Sequence, residues 1–292
     1  MTMSARILVT GVNGQVGGAI MALKDDYPFV LIPISRAEWN MAKEPEKVAE
    51  LIEQHQPDIV INPAAYTNVD GAEGNKETAF SVNAAAVCEL AKACQQANIP
   101  LLHVSTDYVF DGTKETPYTE DDPINPINVY GKSKAEGERR VREVLNAHII
   151  LRTSWVFSSA GKNFVTTMRR LGKERDELKI VDDQRGGPTS ADCIANVLMD
   201  IASQYLQGKA ISWGTYHYAG SPIISWYEFA KAIFETEAEV HRPKITPCAS
   251  TEYPTKAPRP KNSALSTARI KRKMGVLECD WSIDLRSQTS YD

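Results

Sequence analysis

Five short apolar runs, each feeding a turn and then a helical pattern, constrain this 292-residue chain more than any other feature. They are Ile7-Leu8-Val9-Thr10, Phe29 to Ile34, Asp58 to Asn62, Ile99 to Val104, and Ala147 to Arg152. Val16, Ile20 and Leu23 share one face of the first intervening helix, and Val48, Leu51, Ile52 and His55 share one face of a second, over 45–56. A long helix is predicted over 77–97, with Ala79, Val82, Ala86, Leu90 and Ala93 inward, and another over 128–145. Strands that alternate with helices long enough to cross over build right-handed βαβ units and a parallel sheet covered on both faces. After Arg152 the texture changes to helices near 162–174, 190–206 and 225–236, separated by Gly/Pro turns. Five of the sixteen prolines fall between residues 243 and 260, as in loops that form a wall.

The first strand runs into Gly11-Val12-Asn13-Gly14-Gln15-Val16-Gly17, a G-x-x-G-x-x-G turn that opens a helix. Glycines there allow a tight turn and close backbone approach, so a dinucleotide diphosphate can rest on the exposed N–H groups of the helix start. The fold class expected is therefore α/β, a Rossmann-type doubly wound parallel sheet spanning 1–152. Residues 153–292 are expected to form a smaller mixed C-terminal substrate-binding domain, with some segments returning to the sheet. Ser35-Arg36 closes the second strand where a carboxylate would favour NAD and an Arg accommodates a 2′-phosphate, so Arg36 leans toward NADPH, with NADH left open. Ala64 and Ala65, at the end of the third strand, suit the ribose and diphosphate side of the same cofactor. Asn83 is either a surface amide or a bridge to backbone at the base of the site.

The fourth strand ends in His103-Val104-Ser105-Thr106-Asp107-Tyr108-Val109, delivering hydroxyls and a carboxylate to the carboxyl edge of the sheet, where ligands bind in such folds. One crossover later comes Asn128-Val129-Tyr130-Gly131-Lys132-Ser133-Lys134. Tyr-x-x-x-Lys sets a phenol and an ammonium one helical turn apart, and the positive charge is expected to lower the phenol's pKa toward neutrality. The motif occurs three times. Tyr227/Lys231 reads as helix packing and Tyr205/Lys209 spans a helix end at Gly208, so Tyr130/Lys134 is the pair with the right context. Adjacent strand residues point to opposite faces, so only one of Ser105 and Thr106 should line the site.

In order, Gly11-x-x-Gly14-x-x-Gly17, Ala64-Ala65-Tyr66-Thr67, Ser105 to Phe110, Tyr130-Gly131-Lys132-Ser133-Lys134 and Arg152-Thr153-Ser154-Trp155 resemble the extended short-chain dehydrogenase/reductases. The resemblance continues through Asp183-Gln184, Gly187-Pro188-Thr189 and Arg259-Pro260-x-Asn262-Ser263-x-Leu265. It implies reduction of the 4-keto group of dTDP-4-dehydro-L-rhamnose to dTDP-L-rhamnose by NADPH or NADH, with Thr106, Tyr130 and Lys134 catalytic. It further implies cofactor contacts from Gly14, Gln15, Val16, Ala65, Tyr66 and Thr67 within the turn Gly11, Asn13, Gly17 and beside Ala64. Thr106, Asp107 and Trp155 are implied to contact the sugar nucleotide, and Arg259 its diphosphate. A homodimer is compatible with the resemblance. Gly18-Ala19 stands where some members carry a glutamate that helps hold magnesium, so no metal site is expected. Ser282 to Asp292 holds too few apolar residues for the family's closing helix.

Two rivals use the same scaffold: a sugar-nucleotide epimerase or dehydratase, and a non-catalytic NADP-binding regulatory subunit. Asp107 is followed by an aromatic and not by Glu, against the dehydratase, and the intact Thr106/Tyr130/Lys134 set stands against the subunit. Histidines 55, 103, 148, 217 and 241 lack metal-ligand spacing, and G-x-S-x-G is missing, against hydrolases. A net charge of −4 gives no support to nucleic-acid binding, and no run reaches membrane-spanning length. Five cysteines without C-x-x-C, and no visible signal segment, point to inert thiols in the cytoplasm.

Overall fold

The computed structural model describes residues 4–237 and 242–288; His241 and the last four residues of the C-terminal stretch lie outside the described residues. The five apolar runs become β1 (Arg6–Thr10), β2 (Val30–Ile34), β3 (Ile59–Asn62), β4 (Leu101–Thr106) and β5 (His148–Thr153). They join one parallel sheet in the order β2-β1-β3-β4-β5, and a sixth strand, Gly214–His217, adds in parallel to β5. The helices along this half are α1 (Gln15–Ala22), α2 (Val48–His55), α3 (Val69–Gly74), α4 (Lys76–Phe80), α5 (Ala86–Ala97) and α6 (Val129–Val144). Those of the second half are α7 (Phe164–Glu174), α8 (Ala191–Leu206), α9 (Trp226–Thr236), α10 (Ala268–Met274) and α11 (Trp281–Ser287).

Alternation along the strands sorts the core into two layers. Ile7 and Val9 pack with Ile20 of α1 and with Ile194, Leu198 and Ile201 of α8. Leu8, between them, turns to the opposite layer with Leu51 of α2, Leu90 of α5 and Val141 of α6. Each such aliphatic contributes about 1.5–3 kcal/mol by leaving water. The second half of the chain supplies both α8, which packs on the sheet, and the strand Gly214–His217. A separate cluster beyond the sheet's carboxyl edge joins Phe157, Met168, Phe229, Ile233 and Leu285.

Two expectations are corrected. The helix predicted over 77–97 is interrupted by a π-helical turn, Ser81–Ala85, between α4 and α5. The cause is Asn83, fully buried, whose side chain accepts from the Tyr66 N–H (2.8 Å) and donates to the Tyr66 carbonyl (3.1 Å) and to Ser133 Oγ (3.0 Å). Widening the helix by one residue aims that amide at the loop after β3. The C-terminus also closes with a helix after all. Asp280 caps α11 by accepting from the Ser282 N–H at 3.0 Å, and two side chains one turn apart, Trp281 and Leu285, suffice to bury it.

The deepest polar feature ties α6 to the sheet. Glu138 of α6, fully buried, accepts from Arg152 Nε (2.9 Å), Arg152 Nη2 (2.7 Å), Arg142 Nη1 (3.0 Å) and the Ser105 hydroxyl (2.6 Å). Arg152 also lies 3.3 Å from His217 Nε2 and over the Phe110 ring at 5.1 Å. Burial alone would raise the Glu138 carboxyl; the Arg152 guanidinium and the Ser105 hydroxyl more than reverse this and hold it below its ordinary 4.5. A carboxyl whose pKa is lowered by folding adds stability above its unfolded value and loses it as the pH falls through the folded value. Glu138→Gln is therefore expected to cost about 3–5 kcal/mol at neutral pH in urea unfolding, because Arg152 is left buried and uncompensated. The loss should shrink steadily below about pH 4.5. A variant as stable as the parent at pH 7 would refute the ion pair's role.

Candidate active site

Thr106 is the last residue of β4 and the N-cap of the 3-10 turn Asp107–Val109. Its Oγ1 accepts from the Tyr108 N–H at 3.2 Å and donates to Asp107 Oδ1 at 2.8 Å. Ser105 points the other way, into Glu138, so the strand's alternation leaves Thr106 at the site. Opposite it, Asn128 opens α6 by accepting from the Gly131 N–H (2.8 Å) and anchors the loop of the second half by donating to the Pro258 carbonyl (2.9 Å). A Cβ at Gly131 would collide with the Tyr108 carbonyl oxygen, so only glycine lets α6 lie this close to the end of β4. That approach sets the Tyr130 phenol against the Thr106 hydroxyl, with the Tyr108 ring edge-on to Tyr130 at 5.9 Å.

The electrostatics differ from the sequence-based expectation. Lys134 does not lower the Tyr130 phenol. Burial pushes the Tyr130 pKa up, the Thr106 hydroxyl only partly opposes it and the Asp107 carboxyl adds to it, so the phenol keeps its proton through the neutral range. Lys134 instead turns inward, donating to the Val104 carbonyl at 2.8 Å and lying 3.3 Å from His103 Nε2. Its burial lowers the ammonium to about 8, with Glu138 pulling the other way. His103, held well below its ordinary value by burial and then by Lys134, is a neutral ring. It continues a buried row: Asn62 Nδ2 donates to His103 Nδ1 (3.0 Å), and the Thr10 hydroxyl donates to Asn62 Oδ1 (2.6 Å). Thr10, Asn62 and His103 lie on three neighbouring strands, β1, β3 and β4, which is why one-dimensional spacing missed the row.

Asp107 carries the site's unpaired atom. Its Oδ2 is buried with no hydrogen-bond partner, and burial raises the carboxyl to about 7 against the lowering pull of Thr106 and Ser263. A polar group kept dry and unsatisfied is costly unless a ligand completes it.

At the other end, the glycine turn fits a dinucleotide. Gly14 caps α1 without any side-chain hydrogen bond, leaving first-turn amides free for an anion, and a Cβ on Gly17 would collide with the Gly11 carbonyl. Asn13 and Gly14 are exposed, whereas Val16 is buried under the turn. The Gln15 side chain is committed elsewhere, accepting from Ser158 (2.8 Å) and Asn163 (2.9 Å), which leaves only its backbone available to a ligand of the turn. Arg36 is exposed after β2, where Glu38 accepts from the Ser35 N–H at 2.8 Å. Ala64, Ala65 and Tyr66 form a half-buried shelf that Asn83 fastens, and Thr67 is exposed beyond it.

The remaining predicted residues lie on the second half's wall. Trp155 adopts a left-handed backbone (φ +48°), stacks on Trp226 with ring centroids 3.4 Å apart, and donates to Ser263 Oγ at 3.2 Å. The Arg259 fork is closed on Asp70 at 3.1 and 2.7 Å and on the Ala257 carbonyl at 2.7 Å, a clasp between the two halves. Arg259 also lines a cavity of about 940 Å³ with Lys114, Asp183, Arg185, Lys261 and Asn262; Thr106 and Tyr130 lie outside its lining.

Residues 5–290 match the RmlD substrate binding domain family. A dTDP-4-dehydrorhamnose reductase of Aggregatibacter actinomycetemcomitans is 43% identical over 98% of this chain and 99% of its own length. Among solved structures, a dTDP-4-dehydrorhamnose reductase of Clostridium acetobutylicum superposes with a TM-score of 0.91 at 36% identity, covering 97% of this chain and 98% of its own. The Bacillus anthracis reductase, in complex with NADP, gives a TM-score of 0.91 at 34% identity, covering 98% and 99%.

The raised Asp107 pKa carries a sign that can be tested. Between about 4 and about 7 the folded protein keeps a proton that the unfolded chain has lost, so this carboxyl makes stability fall as the pH rises through that window. Asp107→Asn should remove that decline, gaining on the parent between urea unfolding at pH 5 and at pH 8. Parallel curves for the two proteins would contradict a raised Asp107.

Proposed function

Because this chain belongs to the RmlD family, with full-length relatives that are dTDP-4-dehydrorhamnose reductases, we propose that it reduces dTDP-4-dehydro-L-rhamnose to dTDP-L-rhamnose with NADPH. It is an NAD(P)H-dependent oxidoreductase. The cradle fits the cofactor: the uncapped start of α1 takes the diphosphate, the Ala64–Thr67 shelf borders the adenosine side, and Arg36 takes a 2′-phosphate. Bound there, the reduced nicotinamide supplies the hydride.

The observation that carries this reading is the Thr106–Tyr130 hydroxyl pair at the end of β4, with the phenol held protonated. A reductase needs a proton at the carbonyl oxygen as the carbon gains its hydride, and a phenol that keeps its proton at neutral pH is loaded for that transfer. Thr106 steers the same oxygen by a hydrogen bond. Lys134 stiffens the floor through Val104 and His103 and offers its remaining N–H to a cofactor ribose. The dry Asp107 Oδ2 takes a sugar hydroxyl, and Trp155, on its stack with Trp226, walls the sugar nucleotide. With its fork closed on Asp70, Arg259 meets a diphosphate only from the face left over, so positioning the wall is the larger part of its role.

The epimerase and dehydratase reading is not favoured, because the full-length relatives are reductases and Asp107 has no acidic neighbour to complete a dehydrating pair. Among the described residues no helix is long and apolar enough to cross a membrane. A net charge of −4 favours a small-molecule partner over nucleic acid, and five free cysteines suit the cytoplasm. Homodimerisation rests on the family resemblance.

Tyr130→Phe is expected to cut NADPH consumption with the keto sugar nucleotide by about 10²–10⁴-fold, the worth of a positioned general acid, with NADPH affinity unchanged. Retained turnover would take Tyr130 out of the acid's role. Arg36→Ala should raise KM for NADPH more than for NADH, measured by nicotinamide absorbance; equal effects would mean that Arg36 does not read the 2′-phosphate.

A further inference from the structure

Three side chains distant in the sequence converge in the second half of the chain. Cys193 lies in the first turn of α8, Cys279 in a two-residue strand paired with Gly220–Ser221, and Asp284 in the first turn of α11. Their Sγ, Sγ and Oδ2 atoms all lie within 4.8 Å of one another. Cys193 Sγ is 3.0 Å and Cys279 Sγ 3.6 Å from the same carboxylate oxygen. Cys279 is buried, while Cys193 and Asp284 are half-buried.

We propose that Cys193, Cys279 and Asp284 form a binding site for a borderline-soft divalent cation of the zinc type, with a water in the fourth position. Tetrahedral zinc, with Zn–S near 2.3 Å and Zn–O near 2.0 Å, requires sulfur–oxygen edges of about 3.5 Å and a sulfur–sulfur edge of about 3.8 Å. The two observed sulfur–oxygen separations bracket the first value, and the sulfurs are close enough for the second. Two thiolates with one carboxylate select zinc over magnesium or calcium, which take oxygen donors alone. The half-exposed Cys193 and Asp284 leave a path for entry and for the water.

Cys193 Sγ and Cys279 Sγ both approach the same Asp284 oxygen, so the three donors already converge on one point. Binding exchanges two thiol protons for one M²⁺, and no electron is transferred. The cation would clamp α11, with its buried Trp281 and Leu285, onto α8, the helix that underlies the sheet. The chain's closing helix would then be held by a coordinate link as well as by packing.

The test uses the full-length protein, reduced, freed of metal with a chelator and titrated with Co²⁺ under anaerobic conditions. One equivalent per chain should develop thiolate-to-cobalt charge transfer and tetrahedral d–d bands, both bleached by Zn²⁺. Zn²⁺ should raise the melting temperature, and chelator should restore the original value. Cys279→Ser and Asp284→Asn should each weaken Co²⁺ at least about 100-fold, more than the loss of an outer partner costs; Cys88→Ser, outside the cluster, should leave it unchanged. Asp284→Asn, at a half-exposed position, keeps the test decisive should Cys279→Ser fail to fold. A Co²⁺ spectrum without charge transfer, or a Zn²⁺ stabilisation that survives both variants, would overturn the site. So would a Cys193–Cys279 disulfide forming in air alongside no Co²⁺ uptake by the reduced protein.

Discussion

The buried pair Glu138–Arg152 is the constraint on which the rest of the arrangement depends. It spans α6 and β5, takes in Ser105 of β4, and reaches His217 on the strand contributed by the second half. Two charges removed from water stabilise a fold only when geometry and extra hydrogen bonds satisfy them, and here each Glu138 oxygen accepts two donors. The consequence is positional. Helix α6 cannot slide along the sheet without breaking that set, so Tyr130, two turns earlier on the same helix, is fixed against Thr106.

The site is made of groups that the fold leaves incomplete. The start of α1 has amides without caps, Asp107 has an oxygen without a donor, and Tyr130 has a proton it cannot lose at neutral pH. The dry Asp107 oxygen is the costly one of the three, and in the function proposed above the three groups meet a diphosphate, a sugar hydroxyl and the carbonyl oxygen. The groups that are satisfied do the holding. Asn83 fastens the loop after β3 by both edges of one amide, Asn128 links α6 to the second half, and Arg259 clasps Asp70 across the two.

The strands, the glycine turn, the polar end of β4 and the choice of Tyr130 over two other Tyr-x-x-x-Lys pairs were legible because each is a local pattern with a fixed period or a fixed neighbour. The interruption at Ser81–Ala85 was not, since the inward alanines keep helical spacing across it and only the demand of the Tyr66 backbone on Asn83 reveals the extra residue. The direction of Tyr130's pKa was misjudged for a related reason. Spacing says that Lys134 shares a face with Tyr130, but not that Val104 and His103 claim its ammonium or that burial dominates the phenol. The approach of Cys193, Cys279 and Asp284 has no signature in the sequence, because the three belong to different elements far apart along the chain.

The sequence by itself determined the parallel α/β sheet, the glycine turn that opens α1 and which of Ser105 and Thr106 turns toward Tyr130, since periodicity, turn chemistry and strand alternation act between near neighbours. Tertiary structure alone decided which charges are paired, which protons are held and which distant side chains share a site. Those depend on desolvation and on distances across elements, and neither is written in the spacing of residues along the chain.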